Sequence, residues 1–178
     1  MGFDHASDFA LVAPQVFRVL EENENTRFEI FGAFALPESF LVFGQRVLRR
    51  EPVRGYDQFM RSFSQLGWDI GIAPLVGNRF NKQKSLNKWA EYTAIGAATI
   101  ASSGTAYDQL GERGVAMLVA DDGWYDALTR LTRQPEDRVA LTASAQKVLK
   151  REFSIDDMRR QTLRALEVAL QIKQGFGA

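Results

Sequence analysis

Three nearly continuous apolar runs in the middle of the chain constrain the fold more than any other feature of the sequence. They are WDIGIAPLVG (68–77), AATIAS (97–102) and GVAMLVA (114–120), and turn-forming residues follow them. Such runs are typical of β-strands that are buried on both faces, as in parallel sheets. Segments with helical character alternate with these runs. The sequence therefore predicts an α/β fold in which helices cover both faces of a mostly parallel sheet.

Two shorter β-rich segments, 27–34 and 46–53, precede these runs, and Pro52 closes the second. Helices are predicted over 8–23, 55–67, 85–96, 123–134, 135–153 and 154–174. Pro14 marks either the true first turn or a kink of the first helix. Pro135 suits a first helical position, and Ser154 with Asp157 resembles a capping box. The sequence shows no repeat or linker, so we expect one domain over 1–178.

The composition excludes several classes of site. The chain of 178 residues has no cysteine and a single histidine, His5, which rules out disulfides, thiolate chemistry and multi-histidine metal clusters. The formal net charge is zero, which argues against a general nucleic-acid binder and requires any anion site to be local. No apolar run is long enough to span a bilayer, and the acidic start MGFDHASDF has no signal-peptide pattern. We therefore expect a cytosolic protein, with peripheral contact to a membrane as a second option.

One segment concentrates positive charge without any acid nearby. Its cations are Arg79, Lys82, Lys84 and Lys88, and no Asp or Glu occurs from 70 to 90. Lysines at the positive end of a helix each cost up to about 1 kcal/mol unless an anion is bound. A phosphate reverses that cost, because helix N-termini that follow a strand bind phosphate well. The pattern therefore favours an anion site over a merely solvated face.

The helix in this segment is expected to begin at Ser85 as N-cap and to end at Gly96 in the left-handed conformation. Helical spacing assigns it a buried face of Leu86, Trp89, Ala90, Thr93 and Ala94.

The same stretch carries a family resemblance. Residues 68–102 combine a strand ending in APL, the pattern FN-x-x-KS-x-x-K-x-x-EY-x-A-x-G, and an apolar strand ending in serine. This combination resembles the donor-binding half of retaining GT-B glycosyltransferases, a group that includes many polysaccharide and O-antigen enzymes. The matching positions are Asp69, Pro74, Leu75, Phe80, Asn81, Lys84, Ser85, Lys88, Glu91, Tyr92, Ala94 and Gly96.

Segments outside this stretch extend the likeness. DHASDF (4–9) resembles the loop and helix start after the first strand of that domain, with Asp4 in place of a threonine. RFEIFG (27–32) resembles its second strand, and 55–69 resembles the helix that leads into the next strand. The resemblance implies a Rossmann-like three-layer domain that is one half of a GT-B architecture. It also implies a nucleotide-diphosphate sugar as substrate and transfer with retained configuration, without a metal or other cofactor.

The resemblance also assigns roles to individual residues. Glu91 would accept hydrogen bonds from the ribose, while Asn81, Lys84 and Ser85 would hold the diphosphate and sugar. Many members of the group carry a second glutamate eight positions before the first, but Gln83 stands there in this chain. Lys88 is a further candidate for the diphosphate.

Two other regions receive roles in the same way. His5, together with Asp8, would lie near the sugar-phosphate, and the backbone around Val53 and Arg54 would contact the base. No residue is singled out as a catalytic nucleophile. The N-terminal acceptor domain of a GT-B enzyme is expected to be missing, so the chain would act with that domain or with a partner chain and transfer little sugar alone.

The residues leave a second class of function open. A Rossmann-like domain without chemistry could serve as an interaction or assembly module, for example as a dimer through an exposed apolar face. Phe31, Phe34, Phe40 and Phe43 are the candidates for that face, although core packing is favoured for Phe31 and equally weighted for Phe40 and Phe43. A dinucleotide oxidoreductase is disfavoured, because the chain contains no G-x-G-x-x-G sequence.

Overall fold

A computed structural model describes residues 5–175, with side chains through 171. Strands and helices alternate over this range, as the sequence predicts. The strands are β1 (Phe28–Phe31), β2 (Val47–Arg50), β3 (Ile70–Ala73), β4 (Ala98–Ser102) and β5 (Met117–Val119). The helices are α1 (Ala6–Ala10), α2 (Ala13–Glu22), α3 (Tyr56–Phe63), α4 (Asn87–Ile95), α5 (Asp108–Gly111), α6 (Trp124–Arg133), α7 (Pro135–Glu152) and α8 (Ile155–Gly175).

All strand pairings in the described residues are parallel, which confirms the predicted α/β class. The strands form two sheets, however: β1 pairs with β2, while β3, β4 and β5 form a second sheet in that order. Neighbouring strands are connected by helical segments, the arrangement that parallel strands require. The predicted mostly parallel sheet is therefore present in two pieces, with β1 and β3 at their facing edges.

Strand β4 lies between two helical layers. All five of its residues are buried, and alternate side chains point to opposite faces. Ile100 packs in a core with α2 and α6, whereas Ala101 packs in a second core with α4 and α7. Helices thus cover both faces of the sheet, and the domain has the predicted three-layer arrangement.

The structure settles the role of Pro14, which the sequence left open, and corrects the predicted start of α4. The chain turns between α1 and α2, and Pro14 lies in the first turn of α2. Helix α4 begins at Asn87, with Leu86 rather than Ser85 at the N-cap and without a side-chain cap. A short 3₁₀ turn at Asn81–Gln83 and an extended Lys84 occupy the chain before it, so Ser85 cannot cap the helix.

The rest of α4 follows the prediction with one exception. Trp89 and Thr93 are fully buried, and Gly96 ends the helix with φ of 87°. Ala94, which was assigned to the buried face, is exposed. The hydrophobic face of α4 is therefore narrower than the spacing indicated.

The prediction of an exposed phenylalanine interface is wrong for two of its four residues, Phe40 and Phe43. Phe40 and Phe43 lie in a 3₁₀ segment, Glu38–Arg46, that the sequence pattern does not predict, and both are buried in the first core. Phe17 packs edge-on against both rings at centroid distances of 5.6 and 4.8 Å. Phe31 and Phe34 are half-buried. In the described residues, no helix is long and apolar enough to cross a membrane.

Gly71 of β3 provides a test of how the sheet packs against α4. A Cβ atom at this position would lie 2.3 Å from Cγ of Tyr92, whose ring is held by a hydrogen bond from its hydroxyl to the Ile72 carbonyl. We therefore expect Gly71→Ala to lower the free energy of unfolding by about 3 kcal/mol through overpacking. Urea denaturation measures the loss.

Gly77 is a matched control for this substitution. It follows β3 in an exposed loop, and a Cβ there would meet no atom within 4 Å. Gly77→Ala should change stability by less than about 0.5 kcal/mol. Equal unfolding midpoints for the two variants would contradict the packing of Tyr92 on β3.

Candidate ligand-binding site

A cleft of about 660 Å³ lies between the two sheets. Strand β1 lines one side and Ile70 and Ile72 of β3 line the other, while α2 and α3 contribute apolar side chains. In parallel α/β folds, ligands bind where such a crevice opens at the carboxyl ends of the strands. At that end the cleft is lined by polar and charged residues, which are His5, Asp8, Lys88 and Glu91.

The topology explains why these four residues meet. Helix α4 follows β3 in the chain and packs against β3 and β4. It therefore begins at the carboxyl end of the sheet, where its first turn places Lys88. Helix α1 lies at the same end, because Asp8 contacts the backbone just after β3. Residues from the start of the chain and from its middle therefore face one opening.

Asp8 is the anchor of this arrangement. Its carboxylate is buried and accepts a hydrogen bond of 2.9 Å from the Val76 N–H, which ties α1 to the loop after β3. The second oxygen lies 2.9 Å from Nδ1 of His5 and 3.9 Å from Nζ of Lys84. One carboxylate thus positions both a histidine and a lysine at the opening.

This contact corrects one expectation from the sequence. The cationic segment has no acid in its own stretch of chain, but the fold places Asp8 beside Lys84. The charge of Lys84 is therefore partly compensated, whereas Arg79 and Lys82 are exposed and do not line the cleft. Of the four cations, only Lys88 lines the cleft itself.

Lys88 and Glu91 face the cleft from the same side of α4. Burial lowers the pKa of the Lys88 ammonium, Asp8 partly restores it, and Lys84 lowers it again. Burial raises the pKa of the Glu91 carboxyl, and Lys88 opposes that rise. The opening therefore contains a cation and an anion that have lost much of their hydration, and each gains from a ligand group of complementary charge or hydrogen-bonding type.

Asn81 and Ser85 have different surroundings. Asn81 is buried, and its amide donates to the Val76 carbonyl at 2.7 Å, so it holds the loop after β3 in shape. Ser85 is exposed in the connection to α4. Neither side chain lines the cleft.

Val53 and Arg54, predicted to contact a base, follow β2 at the far edge of the smaller sheet. Val53 is half-buried and Arg54 is exposed, and neither lines the cleft. The structure therefore brings together His5, Lys88 and Glu91, with Lys84 nearby through Asp8. The roles given to Asn81, Ser85, Val53 and Arg54 stay predictions.

Two tyrosines near the cleft were not identified as site residues from the sequence. Tyr92 lines it, and Tyr107 is buried close enough to Asp8 and Glu91 for both to affect its pKa. Burial raises the pKa of both phenols, so both hydroxyls stay protonated. Tyr107 follows a loop without any periodic signal, which is why spacing alone could not identify it. Among the described residues, no three histidine or carboxylate side chains gather into a metal-binding group.

Comparison with known proteins places this geometry in a wider group. The sequence profile of the glycosyl transferase-like family matches residues 14–164. No protein of curated function matches the chain by sequence. The fold is similar to the crystal structure of WaaG, a glycosyltransferase involved in lipopolysaccharide biosynthesis, with a TM-score of 0.61 and 12% identity over 85% of this chain. The alignment covers 41% of the WaaG chain, so this chain spans less than half of that protein.

A second structure is more distant. The C-terminal CMP-Kdo binding domain of WaaA from Acinetobacter baumannii aligns over 80% of this chain and all of that domain. Its TM-score is 0.36 at 12% identity, which is too low to support an argument. The WaaG match confirms the expected fold, a Rossmann-like domain of the GT-B type.

The role of Asp8 can be tested by its effect on stability. Asp8→Ala removes the acceptor for the Val76 N–H and the partner of His5 and Lys84. We expect it to lower the free energy of unfolding by about 2–3 kcal/mol, as for other hydrogen bonds to charged groups. Asp8→Asn keeps an acceptor oxygen and should lose about half as much. Urea denaturation of each variant gives the comparison.

Asp121, which is exposed in the turn before α6, provides the control. Its replacement by alanine should change stability by less than about 0.5 kcal/mol. If Asp8→Ala behaved like Asp121→Ala, Asp8 would not be the anchor of the opening.

Proposed function

Because the chain belongs to the glycosyl transferase-like family, we propose that it binds a nucleotide-diphosphate sugar at the carboxyl-end opening of the cleft. In this proposal the chain is the donor domain of a retaining glycosyltransferase. The observation that supports it is that Lys88 and Glu91, near the start of α4, both line the cleft, while Lys84 lies beside Asp8, which also lines it.

The diphosphate would bind at the first turn of α4. That turn presents unpaired backbone N–H groups and the positive end of the helix dipole, both of which favour a phosphate. Lys88 lies in the same turn, and its partly desolvated ammonium regains a favourable partner when a phosphate binds. Lys84 lies in the extended connection just before α4 and adds a second positive charge close to the opening.

The ribose would bind one turn further along α4. Glu91 follows Lys88 by three residues, so the two side chains project from neighbouring positions of the same face. A carboxylate can accept hydrogen bonds from both hydroxyls of a ribose, the role that acidic residues play in other nucleotide-binding folds. The order phosphate, then ribose, along one helix matches the order of groups in a nucleotide-diphosphate sugar.

Catalysis would rest on stabilising the leaving group. As the sugar moves, the bond between its anomeric carbon and the β-phosphate oxygen breaks, and the electron pair stays on the diphosphate. The oxygen of an acceptor hydroxyl bonds to the same carbon with retained configuration, and its proton passes to the departing phosphate. Lys84, Lys88 and the first turn of α4 would stabilise the charge that develops on the diphosphate. No metal or cofactor is needed for this step.

The proposed acceptor site lies outside this chain. WaaG has a chain more than twice as long as the aligned part, and we propose that an N-terminal acceptor domain completes the cleft here. Helix α8 offers a surface for such a contact, because it exposes Ile155, Met158, Leu166 and Leu170 along one face. Alone, the chain should bind donor but transfer little sugar.

Calorimetric titration with UDP, GDP and ADP tests donor binding. At least one of them should bind, and Lys88→Met should weaken that binding ten- to a hundredfold, because a charge-assisted contact to phosphate is lost. Glu91→Gln should weaken the binding of the nucleotide but leave the binding of inorganic pyrophosphate unchanged. Absence of binding to all three nucleotides would overturn the proposal.

Lys82 provides the matched control. It belongs to the same cationic segment but is exposed and does not line the cleft. Lys82→Met removes the same charge from the chain, so it should leave nucleotide affinity within about twofold. Equal losses in the Lys82 and Lys88 variants would show general attraction by positive charge rather than a site.

The pH dependence of binding provides a further prediction. Burial holds the pKa of Lys88 below its ordinary value, so the ammonium begins to lose its proton at lower pH than a fully hydrated lysine side chain does. A phosphate prefers the charged form, and the affinity for the nucleotide should therefore fall as pH rises through this lowered pKa. Lys88→Met should remove this fall in affinity. An identical pH profile in both proteins would contradict the assignment of Lys88.

A further inference from the structure

The hydroxyl of Tyr107 differs from those of the other tyrosines in this chain. The sequence contains four tyrosines. The hydroxyls of Tyr92 and Tyr125 donate to protein oxygens, and Tyr56 is 63% exposed, so water can reach it. Tyr107 is only 2% exposed, yet its hydroxyl has no hydrogen-bond partner among the residues that the structure describes. Because buried tyrosine hydroxyls are normally bonded, this one requires an explanation.

Local hydrogen bonds hold Tyr107 in place. It follows β4 at the carboxyl end of the sheet, where the Thr105 hydroxyl donates to the Ser102 carbonyl at 2.8 Å and accepts from the Tyr107 N–H at 3.3 Å. The Leu110 N–H donates to the Tyr107 carbonyl at 2.8 Å. The ring packs in the second core together with Trp89 of α4. The position of the ring is therefore determined by the fold on several sides.

The hydroxyl end of this ring lies toward the opening of the cleft. Burial raises the pKa of the Tyr107 phenol, and the nearby carboxylates of Asp8 and Glu91 raise it further. Asp8 and Glu91 both line the opening, so the phenol oxygen lies just behind them. Because the hydroxyl stays protonated, it is a hydrogen-bond donor that has found no acceptor in the described part of the chain.

The Tyr107 oxygen is also not sealed inside the core. Four polar side-chain atoms of the described residues are fully enclosed without a partner, and they belong to Thr93, Thr99, Trp124 and Thr129. The Tyr107 oxygen is not one of them, so the small accessible part of this residue includes its hydroxyl. A ligand in the opening can therefore reach it.

The surrounding charges indicate which ligand group the hydroxyl meets. Lys84 lies 3.9 Å from Asp8, and Lys88 lines the same opening, so an anionic group is favoured on this side. Phosphate oxygens only accept hydrogen bonds, and a bond to a charged acceptor is among the strong ones. A protonated phenol can donate such a bond without adding a further positive charge beside the two lysines.

We propose that Tyr107 is a further residue of the donor site, and that its hydroxyl donates a hydrogen bond to an oxygen of the diphosphate. The inference deepens the proposed function and rests on it. The folded chain keeps this donor in a fixed position, and the ligand supplies the acceptor that the chain lacks.

Calorimetric titration of the Tyr107→Phe protein tests the contact, because this variant keeps the ring and loses only the hydroxyl. The affinity for whichever of UDP, GDP and ADP binds best should fall about tenfold, the effect of losing one hydrogen bond to a charged group. The affinity for inorganic pyrophosphate should fall by the same factor. This result would differ from that of Glu91→Gln, which should affect only the nucleotide.

Thermal unfolding without ligand separates a binding role from a structural one. Tyr107→Phe removes a hydroxyl that has no partner in the described residues, so the Tm should stay the same or rise. Tyr92→Phe is the comparison, because the Tyr92 hydroxyl donates to the Ile72 carbonyl, and its loss should lower the Tm by about 2–4 °C. An equal fall for Tyr107→Phe would show that its hydroxyl is bonded within the protein, and would overturn the proposal.

Tyr125→Phe provides the control for binding, because Tyr125 lies on α6 and does not line the cleft. It should leave both affinities within about twofold. Nucleotide binding that depends on Lys88 but is unchanged in Tyr107→Phe would overturn this inference and leave the proposed function standing. Weaker nucleotide binding with unchanged pyrophosphate binding would place the hydroxyl at another group and overturn the assignment to the diphosphate. If neither nucleotides nor pyrophosphate bound the unaltered chain, both proposals would fall.

Discussion

Burial of β4 from both faces is the constraint on which the rest of the structure depends. Each residue of this strand is buried, and Ile100 and Ala101 enter different cores. A strand without a solvent-facing side needs helices on both sides and strands on both edges. Parallel pairing with β3 and β5 follows, because each connection passes through a helical segment that supplies one of those covers. The three layers are therefore a consequence of one apolar run.

The same arrangement generates the candidate site. Helix α4 runs back along β3 and β4 from the carboxyl end of the sheet, so its first turn, which contains Lys88, lies at that end. The loop after β3 is held by Asn81 and by the carboxylate of Asp8, which reaches it from α1. Rigid packing of Tyr92 against Gly71 keeps α4 close to β3. The charged groups at the opening are thus positioned by the buried Asp8 carboxylate and by apolar packing deeper in the domain, and burial is the main cause of the altered pKa values of Lys88 and Glu91.

Much of the fold was predictable from particular residues. All five strands lie within segments chosen for their apolar or β-rich character, Pro135 begins α7, and the Ser154 hydroxyl accepts the Asp157 N–H at 3.1 Å at the start of α8. The sequence does not reveal the 3₁₀ segment that buries Phe40 and Phe43, because such segments are short and their repeat of three residues differs from that of an α-helix or a strand. A serine before an apolar pattern is a common N-cap, so the pattern predicts a start of α4 at Ser85, and no local signal reveals the extended conformation of Lys84.

The sequence by itself determined the α/β class, the order of strands and helices, the left-handed end of α4 at Gly96, and the absence of thiol chemistry. These features depend on local periodicity, on backbone conformational preferences and on which residue types are present. Only the tertiary structure decided that Asp8 compensates Lys84, that Lys88 and Glu91 share one cleft while Arg79 and Lys82 do not, and that the strands form two sheets with that cleft between them. These depend on contacts between residues far apart in the chain, such as the 68 positions that separate Asp8 from Val76, and no local pattern records such distances.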